Sequence, residues 1–206
     1  MRVMAGRVSS PTLIGRGHEL DRVAAAMAVA QQGDPAFFLV AGEAGDGKTR
    51  FLHEVEDRAR ATGWSVLEGG CVQVGTEGLP FGPFVEALRR LSHEMSPADL
   101  DELLGSGRAE LARLMPHLLR EGESTPGPGH PDSSAQGRLF EHVLLLLERL
   151  ATRTPLLVVA EDVHWADRST LELLGFLARN LRHGPIAVVG PIGRTSSIGT
   201  TRYCRS

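Results

Sequence analysis

Phe37-Phe38-Leu39-Val40-Ala41-Gly42-Glu43-Ala44-Gly45-Asp46-Gly47-Lys48-Thr49 decides how this chain is read. An apolar run long enough for a buried strand leads straight into a stretch matching GxxxxGK[ST] at each required position. The residue types are matched to one chemistry. Glycines leave consecutive backbone N–H groups free to turn inward around an anion. Lys48 brings a flexible point charge for the β- and γ-phosphates, and the Thr49 hydroxyl is suited to ligate Mg²⁺. A helix starting near Gly47 would aim its positive dipole end at the same phosphates. The stretch Gly42, Glu43, Ala44, Gly45, Asp46, Gly47, Lys48, Thr49 and Arg50 is therefore the expected nucleotide-binding segment. The implied ligand is a nucleoside triphosphate with Mg²⁺.

Outward from this segment the pattern alternates between strands and helices. Upstream, residues 1–12 read as a loose leader, and an Ala-rich helix ends near Gln32, stopped by Gly33-Asp34-Pro35. Downstream, Phe51, Leu52, Val55 and Ala59 recur at helical spacing up to Thr62. Gly63 then precedes a second strand at 64–68. Two strands joined by a helix predict a right-handed parallel βαβ unit. Residues 75–135 are punctuated by Pro80, Pro83, Pro97 and Pro116. They predict a helical insertion, with helices at about 82–92, 97–104 and 107–119 and a loop-like Pro/Gly/Ser tract at 122–131. A helix from Gln136 to Arg149 carries Leu139, Phe140, Val143, Leu144 and Leu147 on one face, continued by Leu150, as core packing. Leu156 to Ala160 and Ile186 to Gly190 read as two more buried parallel strands, with Asp167 capping the helix between them.

Glu161 and Asp162 close the strand at 156–160. A carboxylate pair at a strand's carboxyl end is the expected partner of a phosphate loop. Mg²⁺ needs hard oxygen ligands, and a hydrolytic water needs a carboxylate to orient it. Glu161 is assigned to the metal shell with Thr49, and Asp162 to the water. With Lys48 these are the candidate catalytic residues.

The 206 residues suit one large or two small domains, and 42% hydrophobic with 23% charged residues is ordinary for a chain that buries a core. A net charge of −3 gives no global basic surface for nucleic acid, so direct DNA binding by this chain is not expected. Two cysteines, Cys71 and Cys204, make a disulfide framework or zinc site improbable and fit a reducing cytoplasm; Cys71 reads as a small buried filler. No apolar run approaches a membrane span, and residues 1–10 lack a secretory signal's apolar stretch, so a cytoplasmic location without membrane contact is expected.

Ile14-Gly15-Arg16-x-x-Glu19-Leu20, the loop Gly42 to Thr49, Pro80-Phe81-Gly82-Pro83-Phe84-Val85-Glu86-Ala87-Leu88, Arg138-Leu139-Phe140 and Glu161-Asp162-Val163-His164-Trp165-Ala166-Asp167 follow one another in order. Together, over roughly residues 12 to 190, they resemble the AAA-like signal-transduction ATPase module of large LuxR-type transcriptional regulators, a module also found in some adenylate cyclases. Gly17 and His18 depart from the usual charged residues of the first motif. The resemblance implies a P-loop NTPase fold of the α/β class: a three-layer sandwich with a parallel sheet, a core at 13–190 and strand order five-one-four-three-two. It also implies a switch between ATP and ADP states, self-association through the module, and a DNA-binding helix-turn-helix that this chain does not carry. Arg16 reads equally as a neighbour of the adenine pocket and as a solvated side chain. His164 and Trp165 read as γ-phosphate or neighbour contacts, or, more simply, as packing.

Residues 191–206 depart from the family pattern. Back-translated with G/C-ending codons and shifted by one base, they can spell D-R-P-D-E-L-H-R-H-D-P-L-L-P-E, close to the family's continuation. The expectation is a frameshifted tail that leaves out the fifth strand and the C-terminal lid. The strand at 37–41 would then be an apolar edge, nucleotide binding by the chain alone would be weak at best, and its hydrolysis slow or undetectable. Arg194 is accordingly not credited as a sensor arginine. A non-catalytic nucleotide-binding interaction module is the alternative function.

Overall fold

The computed structural model describes residues 16–41, 47–70, 73–74, 77–78, 80–119, 122, 133–161 and 167–192. The first helix, α1 (Gly17–Ala30), buries Leu20, Val23, Met27 and Ala30 on one side. It stops two residues before the expected Gln32, at a turn where Gly33 takes φ 98°, which side chains resist. Strand β1 (Ala36–Ala41) follows, then helix α2 (Lys48–Ala61), burying Phe51, Leu52, Val55 and Ala59. Strand β2 spans Ser65–Gly70, later than the expected 64–68. Trp64 belongs instead to the turn, 5% exposed, with its N–H donating to the Ala59 carbonyl at 3.0 Å.

A two-stranded antiparallel hairpin, β3 (Gln73–Val74) with β4 (Glu77–Gly78), precedes the helical stretch. The sequence pattern did not anticipate it, since two-residue strands carry no periodicity. Helices α3 (Gly82–Glu94) and α4 (Pro97–Leu104) lie close to where the spacing puts them. The Ser96 hydroxyl caps α4 by accepting from the Asp99 amide at 3.2 Å. The expected third helix at 107–119 is a correction. A 3₁₀ turn at Gly105–Gly107 leads into a single helical turn, α5 (Arg108–Leu111), and a second 3₁₀ turn spans Pro116–Leu118. Pro116 supplies the reason: it drives Met115 out of the helical region, to φ −140° and ψ 89°.

Helix α6 (Ser133–Arg153) starts three residues before the expected Gln136 and runs four past Arg149. Strand β5 (Leu156–Glu161), helix α7 (Arg168–Asn180) and strand β6 (Ile186–Ile192) complete the described elements. Strand β6 outlasts its expected end at Gly190, because Pro191 and Ile192 pair in register with Val40 and Ala41. Residues 1–12 and the stretch after Ile192 lie outside the described residues, as do Cys71, His164 and Trp165.

The main sheet is parallel throughout, in the order β1-β6-β5-β2. Its alternation builds two separate cores. On β5 and β6, Leu157, Val159, Ala187 and Val189 face α1 and α2, while Leu156, Val158, Ile186 and Val188 face α3 to α7. Continuous apolar strands are what a sheet covered on both faces requires. The result is the expected α/β three-layer sandwich. The insertion shares its core with the sheet: Phe84, Leu88, Leu104, Leu111 and Met115 lie in one cluster with Leu139, Val143 and Leu147 of α6. Among the described residues, β1 pairs only with β6 and ends the sheet on that side. No described helix is long and apolar enough to cross a membrane.

Candidate nucleotide site

The carboxyl ends of β1 and β5 and the amino end of α2 frame the site. Gly47 precedes α2 in the left-handed conformation, φ 71° and ψ 28°. A side chain there would strain the backbone, although an added Cβ would meet nothing within 4 Å. Its carbonyl accepts the first helical bond, from the Phe51 amide at 2.9 Å. The Gly47 cap position contributes no side-chain hydrogen bond, and the first turn holds no acidic residue. The leading amides of α2 thus present a positive end that suits an anion. Lys48 and Arg50 are partly buried there, and Thr49 is exposed. Gly42, Glu43, Ala44, Gly45 and Asp46 lie outside the described residues.

Glu161 ends β5, aligned with Gly70 of β2, and its side chain is 18% exposed. His53 of α2 reaches it, Nε2 to Oε1 at 3.6 Å. His53 lies four residues after Thr49, so the two share a helix face one turn apart. The fold therefore brings the expected metal-shell carboxylate against the helix whose first turn carries Lys48 and Thr49. Asp162 falls outside the described residues. The residues fit the implied ligands: a glycine-led helix end for phosphate, and a hydroxyl and a carboxylate as hard oxygen donors for Mg²⁺. Sequence reasoning passed over His53, although its spacing from Thr49 is a usable signal.

Arg16 has a definite place. Its guanidinium carbon sits 5.9 Å from the centroid of the Phe51 ring, in cation–π range. Phe51 is 1% exposed, so the start of α1 is held against the first turn of α2.

Asp167 caps α7 as expected. It accepts from the amides of Ser169 at 2.8 Å and Thr170 at 3.2 Å and from the Thr170 hydroxyl. It also accepts from the amide of Phe81, 86 positions away, at 3.3 Å. Burial pushes its carboxyl pKa up, but these four donors outweigh that and hold it below the ordinary value. Phe81 is the one non-glycine among the described residues with positive φ, at 58°. Nothing in local sequence announces this bond or this conformation.

Comparison with known proteins adds the family. The sequence profile of the AAA ATPase domain matches residues 12–189. An uncharacterized protein of Rhizobium meliloti is 28% identical over 193 residues, covering 89% of this chain and 19% of that protein. The chain thus spans about a fifth of the length of the curated relative it matches. A chain in the structure of Drosophila ORC bound to GC-rich DNA and Cdc6 is 15% identical at a TM-score of 0.35, covering 91% of this chain and 55% of that one. With most of its length inside the profile, and a parallel α/β sandwich carrying a glycine-led helix end beside a strand-terminal carboxylate, this chain belongs to the AAA ATPase domain family.

Proposed function

We propose that the chain is the ATP-binding, hydrolysis-capable switch module of a LuxR-type transcriptional regulator. The observation that carries the nucleotide reading is Gly47: a left-handed glycine opens α2, directly ahead of Lys48 and Thr49. The regulator context rests on the ordered motifs from Ile14 to Asp167 and on a relative roughly five times as long as the matched region. Residues 13–190 would form the ATPase core, with DNA binding located elsewhere in the intact protein.

In this reading the amides of the 42–49 loop and the Lys48 ammonium hold the triphosphate. Thr49 and Glu161 would hold Mg²⁺, which would supply positive charge to offset that of the phosphates. Asp162 orients a water for in-line attack on the γ-phosphate, and Lys48 offsets the negative charge that develops there. His53 Nε2 lies 3.6 Å from the Glu161 carboxylate on the α2 side of the site. Self-association in one nucleotide state is the switch output.

Replacing Asp162 with Asn tests the enzyme reading against a scaffold that keeps nucleotide only as a structural ligand. Binding retained with hydrolysis lost supports the enzyme. No hydrolysis by the unsubstituted protein, despite binding, supports the scaffold.

A further inference from the structure

Five residues separate Glu161 from Asp167, and Asp167 is tied to more than its own helix. Capping α7 needs only the Ser169 and Thr170 amides. The Phe81 amide adds a bond to the residue that opens α3. We infer that Asp167 is a positioning residue that fastens the start of α7, six positions after Glu161, to the first turn of α3, so that the helical insertion follows the state of the nucleotide site.

Three further contacts make α3 a suitable receiver. Its start is pressed onto β2 at Gly69, where an added Cβ would lie 1.9 Å from the Pro83 carbonyl oxygen. Its Glu86 accepts the Gly70 amide at 2.8 Å, beside the β5 residue Glu161 in register. The Phe81 ring meets Phe140 of α6 edge-on, with centroids 6.0 Å apart and planes at 82°. Phe81 itself is held left-handed, a conformation a phenylalanine leaves when its restraints go. Among the described residues its restraints include the Asp167 bond, the Phe140 contact and the Val85 amide, which donates to the Phe81 carbonyl at 3.0 Å. A shift of Asp167 would therefore let Phe81 relax and α3 loosen. The inference uses the nucleotide reading proposed above for what moves Asp167, but the junction itself can be tested without nucleotide.

Hydrogen exchange on the intact chain, followed by mass spectrometry over 80–94 and 168–180, with and without MgATP, is the test. Asp167→Ser keeps a capping hydroxyl for α7 but is too short to serve Phe81 as well. It should leave α7 exchange within about twofold of the unsubstituted protein. Exchange in the first turn of α3 should become about tenfold faster, as loss of a bond to a charged acceptor implies. MgATP should slow α3 exchange in the unsubstituted protein and not in the variant. Asp167→Asn, which keeps an acceptor oxygen without the charge, should loosen α3 less than serine does. Unchanged α3 exchange in Asp167→Ser, α3 and α7 loosening together, or equal loosening by Asn and Ser would each overturn the inference. Failure of the unsubstituted protein to bind MgATP in parallel titrations would remove the nucleotide reading, while the nucleotide-free comparison of α3 with α7 still decides the junction.

Discussion

Gly69 and Gly70 are neighbours at the end of β2, and the structure assigns them unequal costs on substitution by alanine. A Cβ at Gly69 would lie 1.9 Å from the Pro83 carbonyl oxygen, 2.7 Å from its carbonyl carbon and 2.9 Å from its Cα. All three are backbone atoms at the start of α3, so no side chain can swing aside. Reaching an ordinary contact of 3.4 Å means moving that helix start by about 1.5 Å, or bending β2 by as much. That movement breaks into a core where Phe84 and Leu88 are 5% exposed, and it strains the bond from the Gly70 amide to Glu86. Overpacking costs about 1–3 kcal/mol, and a clash against backbone belongs at or above the upper end. At Gly70 the nearest atom is the Glu86 Oε2 at 3.4 Å, the far end of a flexible side chain. Gly70→Ala should therefore cost under about 1 kcal/mol. Urea unfolding of both variants beside the unsubstituted protein gives the comparison, with about 3 kcal/mol or more lost at Gly69 and an unchanged slope. Thermal midpoints should fall by roughly 6–12 °C and by no more than about 4 °C respectively, at 2–4 °C per kcal/mol for a domain this size. Equal and small losses at the two positions would refute the close seating of α3 on β2.

Gly47→Ala should lower stability by about 1 kcal/mol, since the cost is the left-handed backbone and not a clash, and should weaken nucleotide binding measured by fluorescence titration. Asp167 predicts an acid limb. Its folded pKa is lowered, so its contribution is fully present above the unfolded value of about 3.9 and is lost as pH falls through the folded one. Asp167→Asn should be less stable than the unsubstituted protein at pH 7 in chemical denaturation, with the gap closing below about pH 4. Glu56 predicts the opposite sign. Burial raises its pKa first, with Glu68 adding to this, and its Oε1 has no hydrogen-bond partner among the described residues. Its raised folded pKa favours the native state as pH falls, so Glu56→Gln should raise stability at pH 7 and lose that advantage in acid. A destabilised Glu56→Gln at pH 7 would show that the bond to Arg60 at 3.2 Å outweighs burial.

The parts of the fold legible in sequence are those written locally. The run from Leu156 to Ala160 is apolar without alternation, and the structure buries it on both faces of a parallel sheet. The Leu139, Val143 and Leu147 stripe fixed the inward face of α6, and Gly47 marked the start of α2 where the motif put it. The third insertion helix failed on one residue, Pro116, whose effect on Met115 outweighed the helical spacing around it. The β3–β4 hairpin is too short to carry a period. The Phe81 conformation, its bond to Asp167 and the His53–Glu161 approach are set by residues 86 and 108 positions apart, which no local window contains. Of the expected site, Gly47, Lys48, Thr49, Arg50 and Glu161 fall among the described residues, and the last lies 3.6 Å from an α2 histidine that the pattern gave no role.

The measurement closest to the central claim is calorimetric titration of the folded chain with MgATP and MgGTP, beside Lys48→Ala of matched stability. A saturable heat for triphosphate, weakened at least about tenfold when the ammonium is removed, is the predicted result. No binding by folded protein, or equal binding by the alanine variant, would contradict the assignment of the Gly47-led end of α2 as a phosphate site.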